Sequence, residues 1–363
     1  MTMNLEELRS DLSSIDKQII ELVAKRQHIV GEIGRRKQSS GRATRDYERE
    51  KDVIEMARSQ AEALQVDPNL AEDLITLLIR SSLTHQERAR VAAEGKGDGR
   101  SALIIGGMGK MGNWFVNFFN SQGFVTTIAD TSAVSGEGRF ADWREAGTDY
   151  DVIVVATPMV ISGKILEELA AIKPEALIFD IGSLKTPLKS GLQALADAGC
   201  KVTSLHPMYG PETELLSGRH MVFVDVGSKK ATDEAKELFA ATMVDELDMG
   251  QDEHDRLIAY VLGLSHALNI AFFTALAESG EAAPKLAKLS STTFDAQLLV
   301  SAAVAQDNPR MYFEIQHLNK FGREPLDALY ESVGRIRDAV VSGDEKSFID
   351  LMHYGREYLA TRQ

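Results

Sequence analysis

Between Ser101 and Gly112 the chain reads Ser-Ala-Leu-Ile-Ile-Gly-Gly-Met-Gly-Lys-Met-Gly, an apolar run followed by glycines at 107, 109 and 112. Between a strand and a helix, that spacing can cradle a pyrophosphate. Gly107 permits the tight turn, Gly109 lets backbone approach phosphate oxygens, and Gly112 lets helix pack closely on strand. Asn113 to Phe119 has helical character, so a helix N-terminus would add N–H donors and a positive dipole end. A second β-like run, Phe124 to Ala129, ends at Asp130, near the roughly 20-residue spacing expected of an acid that binds a ribose 2′-hydroxyl. A carboxylate there repels a 2′-phosphate, so the expected cofactor is NAD rather than NADP.

Further strand-like runs deliver polar residues to the same kind of edge. Asp151 to Ala156 is a continuous Val/Ile run, as in a strand buried on both faces, and it ends at Thr157-Pro158. Leu177 to Ile181 leads into Gly182-Ser183-Leu184-Lys185-Thr186-Pro187. Val202 to Leu205 delivers His206, followed by Pro207-Met208-Tyr209-Gly210-Pro211-Glu212. Ligands of open parallel sheets bind outside the carboxyl ends of the strands, so His206 is the histidine expected to act.

A third set of reactive residues lies in the first ninety. Apolar positions recur at 5, 8, 12, 15, 19, 22, 29 and 33, which predicts one long amphipathic helix. Arg26 stands where the next apolar residue should fall, and Lys37 lies about three turns beyond it. Cations buried along an apolar seam need a counter-charge, so an anion is expected there. Arg9 lies about 100° off that face; it is either a solvated charge or a reach into a neighbouring subunit's site. Gly41 breaks the pattern and a second helix opens near Thr44, with Asp46, Arg49 and Glu50 on one face, readable as a surface ion-pair ladder. Asp67-Pro68 starts a third helix, with Leu78, Ser82 and Gln86 on one ridge.

The elements that must position these residues divide the chain into three domains. Residues 1–91 are all-α. Ala92 to Arg100, glycine-rich and charged, reads as an exposed linker. Residues 101–250 alternate strand and helix as a Rossmann dinucleotide-binding domain, and 251–363 are helical throughout. The apolar run Leu257 to Ala277 is interrupted by Ser265, His266 and Asn269, and reads as a buried helix rather than a membrane span. A formal net charge of −14 argues against nucleic acid or an anionic membrane as partner. The single cysteine, Cys200, and an N-terminus without an apolar signal core fit a reducing cytoplasm. No clustered ligand spacing suggests a metal.

Across residues 4 to 90 the chain resembles the all-helical class of chorismate mutase. The matching stretches are Leu8-Arg9, Ala24-Lys25-Arg26, Gly34-Arg35-Arg36-Lys37, Arg45-Asp46-Tyr47-Glu48-Arg49-Glu50 and Ser81-Ser82-Leu83-Thr84-His85-Gln86. The resemblance implies a pericyclic rearrangement of chorismate, which needs no nucleophile. It needs a dianion held in a chair-like geometry and charge stabilised at the ether oxygen. By that resemblance Arg26, Arg49 and a second subunit's Arg9 hold carboxylates, and Lys37 and Gln86 donate to the ether oxygen. Asp46 and Glu50 hold the hydroxyl and orient the cations, with Ser82 beside a carboxylate. The same module could instead only dimerise the chain or sense a metabolite.

Residues 101 to 320 resemble prephenate dehydrogenase through the glycine turn, Asp180-Ile-Gly-Ser-Leu-Lys185, Leu205 to Pro211, Glu253-His254-Asp255 and Gly263-Leu264-Ser265-His266. The resemblance implies NAD-dependent oxidative decarboxylation of prephenate. His206 takes the ring hydroxyl's proton, Ser183 orients that hydroxyl and His266 lines the pocket. Gly107, Gly109, Lys110, Met111, Gly112, Asp130, Thr157 and Pro158 are the expected cofactor site, and the C-terminal helices are expected to form a homodimer. One departure concerns the arginine that the family places shortly before a Gln-Asp/Asn-Pro turn to hold a prephenate carboxylate. Here the position is Ala302 or Ala303, depending on a one-residue slip, so an altered ring such as the 4-amino analogue is the alternative substrate. Arg310 and Arg256 are the candidate replacements.

Overall fold

The computed structural model describes residues 4–40, 44–134 and 136–361; Gly41, read as the first break, lies outside them. α1 (Leu5–Ser39) begins at a capping box in which Asn4 Oδ1 accepts from the Glu7 N–H and Glu7 Oε2 from the Asn4 N–H, both at 2.9 Å. Asp46 caps α2 (Tyr47–Ala63), and Asp67 caps α3 (Pro68–Glu94), whose first turn holds Pro68. α3 packs along both other helices. The apolar row of α1, from Leu5 through Ile33, is exposed within the single chain.

Next come β1 (Ser101–Ile105), α4 (Lys110–Ser121), β2 (Val125–Ala129), β3 (Arg139–Phe140), α5 (Trp143–Ala146), β4 (Val152–Val155) and α6 (Met159–Ile172). They are followed by β5 (Leu177–Asp180), a 3-10 turn (Thr186–Leu188), α7 (Lys189–Asp197), β6 (Lys201–Pro207), β7 (His220–Val224), α8 (Lys229–Glu237) and β8 (Asp245–Met249). The strands form one sheet in the order β3-β2-β1-β4-β5-β6-β7-β8, parallel except between β6 and β7. Helices cover both faces. Phe115 and Phe119 lie with Phe179 and Phe223 on one side, Leu166 and Leu192 with Leu103 and Ile153 on the other. The order places the ends of β1, β4, β5 and β6 along one edge.

The segment read as an exposed linker is largely exposed, but it is not a free tether. α3 continues through Glu94, and the glycines lie against the loop after α4. The Gly97 N–H donates to Gln122 O at 3.0 Å and the Gly99 N–H to Gly123 O at 3.2 Å. A Cβ on Gly97 would fall 2.3 Å from the Gly123 carbonyl carbon, so glycine serves close backbone approach here rather than flexibility. α3 is docked as well. Val91 joins the core of Phe118 and Phe239, and the buried Glu87 carboxylate accepts from the N–H groups of Leu216 (3.0 Å) and Met243 (3.1 Å).

The last part is helical: α9 (Gln251–Ile258), a π turn (Ala259–Leu264), α10 (Ser265–Glu278), α11 (Ala283–Lys288), α12 (Thr292–Gln306), α13 (Pro309–Leu318), α14 (Arg323–Ser342) and α15 (Glu345–Ala360). The apolar run 257–277 is helical, and within the single chain one face of it is not buried. Leu257, Val261 and Leu268 are 46%, 55% and 47% exposed, because nothing among the described residues covers that face. Hydrophobicity all round a helix reports total cover and cannot say which chain provides it.

Candidate active sites

The N-terminal site lies between α1 and α3. Arg26 donates to Leu78 O at 2.9 Å and to the Ser82 hydroxyl, so the cation on the apolar seam is met by the α3 ridge. Partial burial holds its guanidinium below the ordinary arginine range. Lys37 Nζ donates to Thr44 O at 2.9 Å, and Gln86 Nε2 to Val30 O at 3.2 Å, while Gln86 Oε1 is buried without a partner. Lys37 and Gln86 both line a cavity of about 180 Å³.

The expected ladder on α2 does not form. The Asp46 carboxylate accepts from the Arg49 N–H at 3.0 Å instead, because it stands where the first unpaired N–H groups of the helix need an acceptor. Glu50 pairs at 3.0 Å with Arg45, whose Nη1 donates to Ser217 Oγ at 2.8 Å in the sheet domain. Arg45 was no candidate, because a residue just outside a helix has no place in a periodicity argument. Arg49 and Arg9 are exposed, and of the predicted residues Lys37 and Gln86 line the cavity while Arg9, Arg26, Asp46, Arg49, Glu50 and Ser82 lie outside its lining.

At the sheet edge the turn glycine is Gly106, with φ of +89°, rather than Gly107. A Cβ on Gly106 would lie 2.5 Å from Ala156 O, and one on Gly112 would lie 2.1 Å from Gly106 O. Gly107 instead lies close to Ile128, and Gly109 caps α4, whose first residues are Lys110 and Met111. Asp130 accepts from the Met108 N–H at 3.2 Å, which places its carboxylate beside the glycine turn. Thr157 Oγ1 lies 2.8 Å from Ser162 Oγ, and Pro158 opens α6. A dinucleotide fits this edge: bare backbone packs where side chains would collide, and a carboxylate stands one strand away.

His206 is the penultimate residue of β6 and is buried. Its Nδ1 lies 2.8 Å from His254 Nε2, and His254 Nδ1 lies 2.8 Å from Asp255 Oδ1. Burial alone would raise Asp255, but hydrogen bonds from His254, Thr186 and the Lys185 and Thr186 N–H groups outweigh it and hold the carboxyl below its usual range. An ionised Asp255 makes His254 Nδ1 the donor and His254 Nε2 an acceptor. His206 then donates from Nδ1, and its Nε2 keeps a free lone pair. Burial, with His254 and Lys185 adding to it, pushes His206 well below 6.5, so the ring is a neutral base.

Lys185 is fully buried and donates to Asp180 Oδ2 (2.9 Å), Gly182 O (2.8 Å) and Leu205 O (2.7 Å). Gly182 and Leu205 immediately precede Ser183 and His206, so one ammonium fixes the backbone carrying both. His266 follows the π turn and packs its ring on Tyr312, with centroids 4.2 Å apart. Lys185, His254, Asp255 and Tyr312 were missed as site residues. Lys185, His254 and Asp255 lie in segments already singled out and Tyr312 does not, and no spacing rule brings elements so far apart in sequence into contact. Ala302 and Ala303 are exposed on α12, just after the buried Ser301, whose hydroxyl donates to Asn269 Oδ1 at 2.8 Å.

Residues 8–87 match the chorismate mutase type II family, 135–244 the nucleotide-binding domain of prephenate dehydrogenase, and 251–354 its dimerization domain. The glycine turn precedes the second match, and the pairing of β1 with β2 and β4 joins it to the same sheet. A protein called T-protein from Enterobacter agglomerans is 26% identical over 353 residues, covering 96% of this chain and 91% of its own. The 4-amino-4-deoxyprephenate dehydrogenase of Streptomyces pristinaespiralis is 28% identical over 261 residues, covering 69% of this chain and 88% of its own. The crystal structure of prephenate dehydrogenase from A. aeolicus with hydroxyphenyl propionate and NAD+ superposes with a TM-score of 0.58 at 19% identity, covering 73% of this chain and 98% of that one.

Proposed function

This chain belongs, domain by domain, to the chorismate mutase type II and prephenate dehydrogenase families, and we propose that its two sites act in succession. The first rearranges chorismate to prephenate. The second oxidises and decarboxylates prephenate to 4-hydroxyphenylpyruvate, as expected of a cytoplasmic enzyme of tyrosine biosynthesis.

In the first site the reading rests on Lys37 and Gln86 lining one cavity next to the Arg26–Ser82 pair. Arg26 and Arg49 hold the substrate's carboxylates together with Arg9 of a second copy, Ser82 steadies one of them, and Asp46 and Glu50 face the ring hydroxyl. Lys37 Nζ donates to the ether oxygen as its bond breaks. Gln86 joins it once its amide turns from Val30 O. The exposed apolar row of α1 and the match to a dimerization domain both support a homodimer.

In the second site the reading rests on the chain from Asp255 through His254 to His206. His206 Nε2 accepts the proton of the ring hydroxyl, Ser183 orients that hydroxyl, and His266 closes the pocket. Bound NAD supplies the hydride acceptor, held by the glycine turn with Lys110 and Met111, by Asp130 at the ribose, and by Thr157-Pro158. The hydride leaves the ring carbon that bears the hydroxyl. The ring then loses carbon dioxide and becomes aromatic.

Alanine at 302 and 303 favours a second reading of this site alone, with the 4-amino analogue of prephenate as substrate, as the name of the Streptomyces relative suggests. One cuvette tests the scheme: purified protein with chorismate and NAD, followed for chorismate loss and NADH appearance. Both signals are expected. Chorismate loss without NADH leaves only the mutase, and the absence of both signals overturns the proposal.

A further inference from the structure

We propose that Arg90 is a further substrate-binding residue of the mutase cavity, one that takes a substrate carboxylate and is steadied by the nucleotide-binding domain. The proposal rests on the mutase reading of this cavity. Ser82, Gln86 and Arg90 follow one another at four-residue intervals on α3, so they form one ridge. Gln86 and Arg90 both line the cavity, facing Lys37 and Arg35 from α1. Thr44 joins the two cations: its carbonyl accepts from Lys37 Nζ at 2.9 Å and its hydroxyl lies 3.5 Å from Arg90 Nη1.

The lining is short of negative charge, with Glu94 the acid set against Arg35, Lys37 and Arg90. Glu94 already holds Arg90 Nε at 3.0 Å, and Arg90 Nη2 donates to Ala240 O of the sheet domain at 3.3 Å. These contacts use three of the five N–H groups of the guanidinium and leave one on each terminal nitrogen, the fork that grips a carboxylate. The unpartnered Gln86 Oε1 marks the cavity as one that awaits a polar occupant. A dicarboxylate entering it meets Lys37 at its centre and Arg90 one helical turn past Gln86. Because Arg90 is tied to Ala240, the sheet domain sets the position of a mutase residue.

The test uses the full-length protein with Arg90→Gln and Arg90→Lys, assayed for chorismate consumption and, separately, for prephenate oxidation. Arg90→Gln is expected to raise KM for chorismate on the order of tenfold, as befits one lost charge-assisted contact. Its kcat should stay close to that of the parent, with prephenate oxidation unchanged. Arg90→Lys keeps the charge but not the fork, so an intermediate KM is expected. An unchanged KM in either variant overturns the proposal, as does a parallel fall of both activities with a lower Tm, which would assign Arg90 to domain docking alone. An unmutated protein that consumes no chorismate would instead bring down the mutase reading itself, and that result is visible before any variant is made.

Discussion

The two sites are built on opposite plans. The dehydrogenase site sits at the ends of buried strands, where Lys185 fixes two carbonyls and Asp255 sets the tautomer of a histidine it does not touch. Its base is complete within one chain. The mutase site lies on half-exposed faces of long helices, with the apolar row of α1 uncovered and Arg9 outside the lining of its own cavity. A sheet edge gathers residues by topology, whereas a helical groove needs a neighbour to close it. The groove has one neighbour already, the sheet domain that holds Glu87, Arg45 and Arg90.

The sharpest way to separate the two plans is to disable each base or donor in turn. His206→Asn should lower dehydrogenase kcat by about two to four powers of ten, the usual worth of a general base. NAD affinity and mutase turnover should be kept, since the glycine turn and Asp130 lie apart from His206. Steady-state NADH formation together with NAD titration checks this, and near-normal turnover removes His206 from the mechanism. Lys37→Ala should lower mutase kcat by about two powers of ten or more while sparing oxidation of supplied prephenate, because its ammonium serves charge that develops only in the transition state. Equal loss of both activities would show a shared site or a structural lysine.

The same contrast governs what could be read from residues alone. The glycine-rich stretch, the strand runs and the cap at Asp67 are local features, and local features carry into three dimensions; Asp46, read as a member of a ladder, caps its helix instead. Arg26 was legible as a cation on an apolar seam that needs a partner; the expected partner was an anion, and in the single chain the Leu78 carbonyl and the Ser82 hydroxyl meet it. The buried network around His206 was not, since Lys185, His206 and Asp255 meet only when separate elements converge. The packing of the linker's glycines was not legible for a related reason: glycine permits both flexibility and contact, and composition cannot say which.

The relay makes a prediction about pH. His206 is held well below 6.5, so its neutral, active form persists as pH falls through the range where free histidine protonates. Its folded value lies below its unfolded one, so protonation opposes folding, and stability from this group is lost only as pH falls below 6.5 toward the folded value. The acid limb of dehydrogenase kcat/KM should therefore lie below pH 6.5. Asp255→Asn should lower kcat less than His206→Asn does and change that limb, because an amide no longer fixes the His254 tautomer. A variant with lower kcat and an unmoved limb would make Asp255 structural only. Mutase turnover provides the internal control, since its cavity has no part in the relay.

The smallest effect concerns the alanine at 302 or 303. An unpaired buried carboxylate is expensive, so prephenate in this chain still needs a cation near the place where the family has its arginine. Arg310 fits better than Arg256. α12 ends at Gln306 and Asn308 caps α13, so the chain breaks between the alanine and Arg310. Arg310 Nε lies 3.8 Å from Glu314 Oε1, and Glu314 Oε2 accepts from the Met159 N–H at 3.2 Å, at the start of α6 beside Thr157-Pro158. Both arginines are exposed, but that chain of contacts ties Arg310 to the start of α6 at the cofactor edge. Arg310→Ala should raise KM for prephenate a few-fold with little change in kcat, the pattern of lost uniform binding. Ala303→Arg, or Ala302→Arg for the other register, should lower KM if the pocket takes prephenate. Should neither restoration tighten binding while the 4-amino substrate turns over well, the alanine marks a changed substrate, and the dehydrogenase half of the chain is specialised away from the product of its own mutase.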